Sequence, residues 1–511
     1  VSTNGGLVTE NWFDLNASRY TPSSTLQRME LLKTGYMGTL SLGWDNYLFL
    51  ELTGRQERSS TLKDQSFFYP SANLSFLFTQ AFHMPSWWNY GKLRLSYGIV
   101  GNAPETYTAN IVYEQGSDNG FTWNTIPSSW GNADIRPEKK YEYEIGLESK
   151  FLNNRLGIDV SYYNNRVKDQ ILSTPQPSTS GVKNVLMNVG EVANHGWDIS
   201  ISATPILTRD FRWDLTANYG VYKNKVVKLA DGVPYLEILN SGGSGIKIQA
   251  VEGQPMGDIY AQVPQVNENG EYLVSDKGLY LNQTELQKVG NINPAGVGGL
   301  FNSFSYKNVF LDFSIDFRIG GDVINEMNQY ATAVGLTPES LKYRDTEHGG
   351  LSYYYPGDNN SSGIPVQVDP STGVGPNGEI IYHDGIILPG VVASTGERNT
   401  RIIPAGYYYN TTYNWGTEAE QLTYRHSVFD NSYVKLRELT IGYQFPEKMI
   451  SKLGLGRLSV SVFGRNLFYF YKALKNYDAE SSVGTSWANQ ATVGSSTTAT
   501  RSFGVSLRAS F

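Results

Sequence analysis

Residues 140–151 read KYEYEIGLESKF. In an extended chain successive side chains point to opposite faces. Tyr141, Tyr143, Ile145, Leu147 and Phe151 then share one face, and Lys140, Glu142, Glu144, Glu148 and Lys150 share the other. The stretch predicts a β-strand with one apolar and one charged face. A soluble sandwich produces the same alternation when the apolar face enters a core. Repetition and loop lengths therefore decide the fold.

The alternation repeats. Leu93, Leu95 and Tyr97 alternate with Lys92, Arg94 and Ser96, and Trp197, Ile199 and Ile201 with Asp198, Ser200 and Ser202. Leu311, Phe313, Ile315 and Phe317 face away from Asp312, Ser314 and Asp316. Roughly thirteen strands are expected, near 33–44, 46–57, 69–79, 91–101, 138–151, 155–171, 190–205, 211–228, 296–307, 309–320, 430–445, 456–469 and 501–511. Asp45-Asn46, Asn153-Asn154, Leu207–Asp210 and Lys307-Asn308 read as tight turns. Long connections near 102–137, 172–189, 229–295, 321–429 and 470–500 fall between them. Strict alternation of short and long connections is what an outer-membrane barrel uses, with periplasmic turns and extracellular loops. The expected fold class is all-β: a transmembrane antiparallel β-barrel formed by 1–511 as one unit.

Composition agrees. Charged residues make up only 17% of the 511 residues, against about a quarter in soluble domains. Aromatics reach 13%, with 35 Tyr, and Gly counts 52. Lipid-facing strands with aromatic girdles and polar loops need that mixture. The net charge of −7 gives no footprint for nucleic acid. There is no Cys, so no disulfide framework or thiolate chemistry. No stretch approaches the ~20 apolar residues of a membrane helix, which is uninformative for a barrel. Bacterial single-chain barrels have even strand numbers. Thirteen is odd, so an incomplete barrel is expected, completed by another segment or chain.

Several segments resemble SusC-type TonB-dependent transporters (the SusC/RagA-like family). IRPEKKYEYEIGLESKF at 135–151 resembles that family's "LxPExxxxyEiGld" strand, and GEVANHGWDISISA at 190–203 its "GxixNxGxExxl" strand. VEGQPMGDIY at 251–260 matches "eGxPxgxiyg", and residues 291–324 resemble its hairpin with YKN at the turn. SYVKLRELTIGYQFP at 432–446 resembles "sFvkLRnvtlgYxlP", and residues 463–480 hold GRNL and YDAE where the family has "grNL" and "DPE". The order is the family's, from about residue 30 to 511. The departures are Ala479 within that acidic motif and NENG at 267–270 in place of an acidic "DxNxDG" run. The resemblance implies the C-terminal part of a twenty-two-stranded barrel whose plug domain and TonB-binding segment are absent from this chain. It further implies uptake of a large nutrient, oligosaccharide or oligopeptide, with TonB acting through the plug and a SusD-like lipoprotein closing the mouth. A location in the outer membrane lipid follows.

Catalysis finds no motif. His83, His195, His348, His383 and His426 have no zinc-motif spacing, and no nucleophile elbow or phosphate loop appears. The chain is expected not to be an enzyme, and to need no cofactor or metal. Asn267, Asn269, Glu271 and Asp384 offer oxygen ligands of the kind calcium takes, but a polar turn is the plainer reading. Loop rings suit sugar or peptide contacts, so Trp123, Trp130, Tyr353 and Tyr354 are the candidate substrate-binding residues. Loop packing and interface girdles, as for Trp87 and Trp88, are the alternative use of such rings. Lys140, Glu142, Glu144 and Glu148 are expected to face the lumen. Phe503 and Phe511 close the last apolar face as a barrel-assembly signal, a role the resemblance implies. The composition of loops 229–295 and 321–429 favours irregular surface over a packed domain. Residues 323–334 are expected to form one short helix. A passive porin or structural surface barrel is the second function class, and a soluble carbohydrate-binding or hydrolytic protein the third.

Overall fold

The computed structural model describes residues 2–23, 28–63, 65–118, 121–176, 178–241, 245–357, 363–414, 423–482, 484, 486–494 and 499–510. One antiparallel sheet dominates it, with thirteen strands in strict chain order. They are β1 (Lys33–Trp44), β2 (Leu48–Ser59), β3 (Ser66–Phe76), β4 (Trp88–Asn102), β5 (Glu138–Phe151), β6 (Leu156–Lys168) and β7 (Glu191–Leu207). The sheet continues through β8 (Phe211–Lys228), β9 (Gly296–Tyr306), β10 (Val309–Ile319), β11 (Tyr433–Gln444), β12 (Arg457–Lys472) and β13 (Ser502–Ser510).

The tight turns fall where Asn and Asp predicted them. Asp45, Asn46, Asn153, Asn154 and Lys307 all adopt positive φ, which a two- to four-residue reversal between twisted strands requires. The alternation of short and long is not strict at the start of the sheet. Residues 60–65 form the shorter link, whereas 77–87, at the short-turn end, hold the helical turn Phe78–Ala81. Rings explain the insertion: Phe78 packs edge-on to Trp88, and Trp87 stacks on Trp88 and Phe151 at 6.0 and 5.9 Å.

The sheet is inside out by the standards of a water-soluble protein. On β5, Tyr143, Ile145 and Leu147 are 45%, 47% and 43% exposed, while Glu142, Glu144 and Glu148 on the opposite face are half-buried. The apolar face continues from strand to strand. Leu40 lies opposite Leu52, Leu95 opposite Ile145, Val160 opposite Ile199, Leu300 opposite Ile315 and Val462 opposite Val505. Two rows of rings border this belt. Trp44, Phe76, Phe151, Trp213 and Phe304 lie toward the short turns; Tyr36, Tyr97, Tyr143, Trp197, Tyr219 and Phe317 lie toward the long connections. Tyr143 and Phe151 are separated by about 26 Å of strand. At a tilt of about 40° that is ~20 Å of height, near the apolar band of an outer-membrane barrel. The protein is a transmembrane antiparallel sheet of barrel type.

Close packing within the sheet pairs rings with glycines. A Cβ on Gly442 would fall within the ring of Phe310, and one on Gly298 within that of Phe317. Phe463 covers Gly504 and Tyr163 covers Gly196 in the same way. A bare glycine weakens a strand, and a ring laid across it from the next strand restores contact. The high Gly and aromatic content is therefore partly one feature.

The long connections are not irregular, contrary to the expectation from composition. Tyr235–Ser241, Ile246–Val251, Asp258–Ala261 and Gln287–Asn291 form a four-stranded sheet. Val366–Gln367, Leu351–Tyr354, Tyr382–Ile386 and Ile403–Pro404 form another. Helix α1 (Glu326–Ala333) lies where one short helix was expected, capped by the Asn325 side chain, and helix α2 (Ala405–Tyr413) packs beside it. Ile246, Ile248, Ile259 and Ala261 share one core with Ile324, Tyr424 and Val428 and with Ala488 and Ala491. Three connections remote in sequence thus fold as one body on one end of the sheet.

Candidate functional site: the polar wall and the loop body

Opposite the apolar belt, the polar face is a wall of cross-strand ion pairs. Arg94 on β4 reaches Asp159 on β6 at 2.6 and 3.1 Å, Ser161 at 3.1 Å and Glu148 at 3.6 Å. It can lie flat because Gly146 on the intervening β5 has no side chain in its way. Lys150 also approaches Glu148, at 3.7 Å, and Lys140 pairs with Glu142 at 2.6 Å. Of the four charges expected on this face, Lys140, Glu142 and Glu148 are therefore tied to one another or to Arg94. Glu144 forms no ion pair among the described residues and stands in register with Ser96 and Tyr163. A cavity of about 640 Å³ opens in the wall between β6 and β11, lined by Asp159, Asp198, Asn218, Asp316, Arg318 and Tyr433 over a floor of glycines.

Where the wall meets the loop body, residues 477–480 fold back onto the strands. Glu480 accepts from Arg437 at 2.8 and 2.5 Å and from Lys435 at 2.6 Å. Arg437 also donates to Asp316 at 2.5 Å and to Asn466 at 3.0 Å. Asn431 donates to the Ala479 carbonyl at 2.9 Å, and Tyr469 to Asp478 at 2.9 Å. Arg437 first, with Lys435 beside it, holds the Glu480 carboxyl down at about 2. The sequence contained this latch in KLRE and YDAE without assigning it a role. Its only signal there was the placing of two cations and an acid in separate motifs. Arg465 serves the wall, pairing with Glu438 at 3.1 Å.

The predicted ring contacts separate. Trp123 lies in a hairpin of Glu114–Asp118 with Phe121–Thr125, its ring over Gly116, and is 46% exposed. Trp130 is half-buried, edge-on to Tyr113 at 6.2 Å, on a segment that pairs with Asn184–Asn188. No ring contact joins the two tryptophans among the described residues. Tyr353 is a correction: it is 1% exposed, stacked on Tyr382 at 5.5 Å and bonded to Asp384 at 3.1 Å. Burial pushes its phenol well above the ordinary range. Its faces belong to the loop body's own core and are closed to a ligand. Tyr354 is half-buried against Gly375.

The possible calcium ligands are used locally. Asn267 accepts from the backbone of Asn269 and Glu271 and donates to the Glu271 carboxylate, so the run is a turn that satisfies itself. Phe503, with Val505 and Leu507, is over two-thirds exposed on the apolar face of β13. Phe511 lies outside the described residues.

The family model described as TonB dependent receptor-like, beta-barrel matches residues 4–264. The chain belongs to that family. Within it the chain is SusC-like. It is 30% identical over 247 residues to TonB-dependent receptor SusC of Bacteroides thetaiotaomicron, covering 44% of this chain and 24% of SusC. It is 24% identical over 494 residues to TonB-dependent receptor P3 of Formosa agariphila, covering 88% of this chain and 42% of that protein. Among solved structures, the RagAB peptide transporter superposes with a TM-score of 0.66 at 18% identity, over 92% of this chain and 48% of that one. This TonB-dependent receptor-like chain thus spans under half the length of each of these three proteins.

Proposed function

We propose that this chain is the C-terminal part of an outer-membrane, TonB-dependent importer of SusC type. It takes up an oligosaccharide or oligopeptide together with a SusD-like surface lipoprotein. The observation that carries the reading is the loop body: three connections that fold around one core at one end of an ion-paired, polar-walled sheet. A passive pore needs open passage, not a packed body of this size at its mouth. In the importer reading the loop body is extracellular, grips the solute and seats the lipoprotein, while the polar wall surrounds a plug on which TonB pulls. Trp123, Trp130 and Tyr354 are solute contacts in this reading, Glu144 is the wall carboxylate free to meet plug or solute, and Phe503 with Phe511 guides barrel assembly. The RagAB transporter's description as a peptide transporter favours a peptide, and the exposed loop tryptophan favours a glycan; both are tested together. Cells carrying the intact gene should take up a labelled oligopeptide or oligosaccharide mixture only while TonB is energised, and the native complex in mild detergent should contain a lipoprotein. Uptake that persists without TonB would return the chain to the porin class.

A further inference from the structure

The polar wall is not the sheet's only charged surface. Beyond the ring row toward the long connections, the outer face of β5–β8 turns from apolar to basic. Lys139 lies four residues beyond Tyr143 on β5, and Lys223 and Lys225 lie four and six beyond Tyr219 on β8. Arg166 and Lys168 lie four and six beyond Tyr162 on β6. Even offsets keep all five on the face that carries the apolar belt. All five are exposed. The register gathers them: Lys139 stands opposite Lys168 and Tyr141 opposite Arg166, while Lys223 and Lys225 stand opposite His195 and Ala193 on β7. Glu191, bonded to Arg166 at 2.9 Å, is the one acid on this stretch of the face among the described residues. Lys228, past a bulge at the end of β8, engages Asp231 at 3.2 Å. Beside the patch, β4 brings Ile99 and Gly101 into register with Tyr141 and Lys139.

Lys139, Lys168, Lys223 and Lys225 form no ion pair among the described residues, and Lys168 lies over the Tyr141 ring at 5.9 Å. The wall treats its cations otherwise: Arg94, Lys140 and Arg437 each hold a carboxylate. Like charges directly opposite on neighbouring strands repel. The patch therefore lacks its counter-charge within the described chain. Height indicates where that counter-charge lies. The ring row marks the edge of the hydrocarbon. Four residues along strands tilted by about 40° climb ~10 Å, and the headgroup layer is roughly 5–8 Å deep. Lys and Arg stems bend back toward it along apolar surface. The basic face runs without a break into the lipid-facing belt, so the layer against it is the headgroups of that same lipid. We infer that this face, centred on Lys139, Lys168, Lys223 and Lys225, binds phosphate-bearing lipid headgroups of the leaflet at the long-connection end. The inference rests on the outer-membrane part of the importer reading and not on transport.

The test uses the full-length protein in non-ionic detergent micelles. Bis-phosphorylated lipid A is the probe, and the same lipid stripped of its phosphates is the reference. The wild type should bind the phosphorylated lipid about tenfold or more tightly than the stripped one, with the preference shrinking as salt is raised. Lys223→Gln with Lys225→Gln should weaken binding of the phosphorylated lipid by about fivefold for each lysine removed and leave the stripped lipid unchanged. Exposed substitutions of this kind leave folding intact. Lys448→Gln with Lys452→Gln, at two exposed lysines of the short-turn end, should change neither. Equal loss in the two double variants, or equal binding of the two lipids, overturns the inference. Displacement of the lipid by inorganic phosphate at the lipid's own concentration assigns a free-phosphate site and overturns it as well. No part of the assay needs TonB. A barrel that keeps the preference yet takes up solute without TonB refutes the importer reading and leaves this inference standing.

Discussion

Arg437 and Glu480 show how little a single motif says until its partner is placed. Both lie in segments whose order matched a family pattern, yet their pairing joins residues 43 apart across the wall. Glu480 ionises near 2 against an ordinary 4.5, chiefly through Arg437. A carboxyl lowered in this way contributes its full stabilisation above 4.5 and loses it as pH falls toward 2. Hydrogen exchange of residues 473–494, corrected for intrinsic rate, should stay flat from neutral to about pH 5 and rise below about pH 4. Glu480→Gln should show the raised exchange already at neutral pH. A wild-type profile that climbs above pH 5 would remove Glu480 as the cause. Tyr353 teaches the complementary lesson. A Tyr-Tyr-Tyr run in a long polar connection reads as exposed rings, and nothing local reveals that residues 351–354 form a strand facing Tyr382.

At the scale of elements, all thirteen strands were legible. Period-two patterning and Asn/Asp turns are local signals, and each strand needs only its neighbour in sequence to pair. The inside-out arrangement gives the sharpest test. Ile145 is 47% exposed, so in a soluble protein Ile145→Arg would change stability by less than about 0.5 kcal/mol. Facing lipid near the midplane, it should cost ~2–4 kcal/mol in reversible unfolding from bilayers. A negligible change would contradict the lipid-facing belt. Asp316, which the alternation alone leaves as one more wall carboxylate, is bonded to Arg437. The ring–glycine pairs make a second prediction. Gly442→Ala must expel the Phe310 ring and should destabilise the sheet by about 1–3 kcal/mol, as overpacking does. The double change Gly442→Ala with Phe310→Leu should recover part of that loss. No recovery would mean the ring is not what crowds the glycine.

The whole molecule holds what the sequence did not disclose. Composition suggested adaptable loops, because Gly, Asn and Pro mark turns but do not report which turns meet. The core at the long-connection end of the sheet gathers side chains from positions as far apart as Ile246 and Ala491, and such contacts leave no period to read. Ile248 is 0% exposed within it. Ile248→Ala should therefore remove about 2–5 kcal/mol from the loop body. It should speed exchange near 424–428 and 488–491 along with 246–251. Faster exchange confined to 246–251 would mean three separate loops. One core shared by three loops also sets a sequence of events in time. Contacts of such long range form late. Ala488 and Ala491 lie in the connection from β12 to β13, so the shared core closes only once that connection has joined the other two. Until it does, the other two connections hold only part of a core, and the step that completes it fixes the shape of all three together.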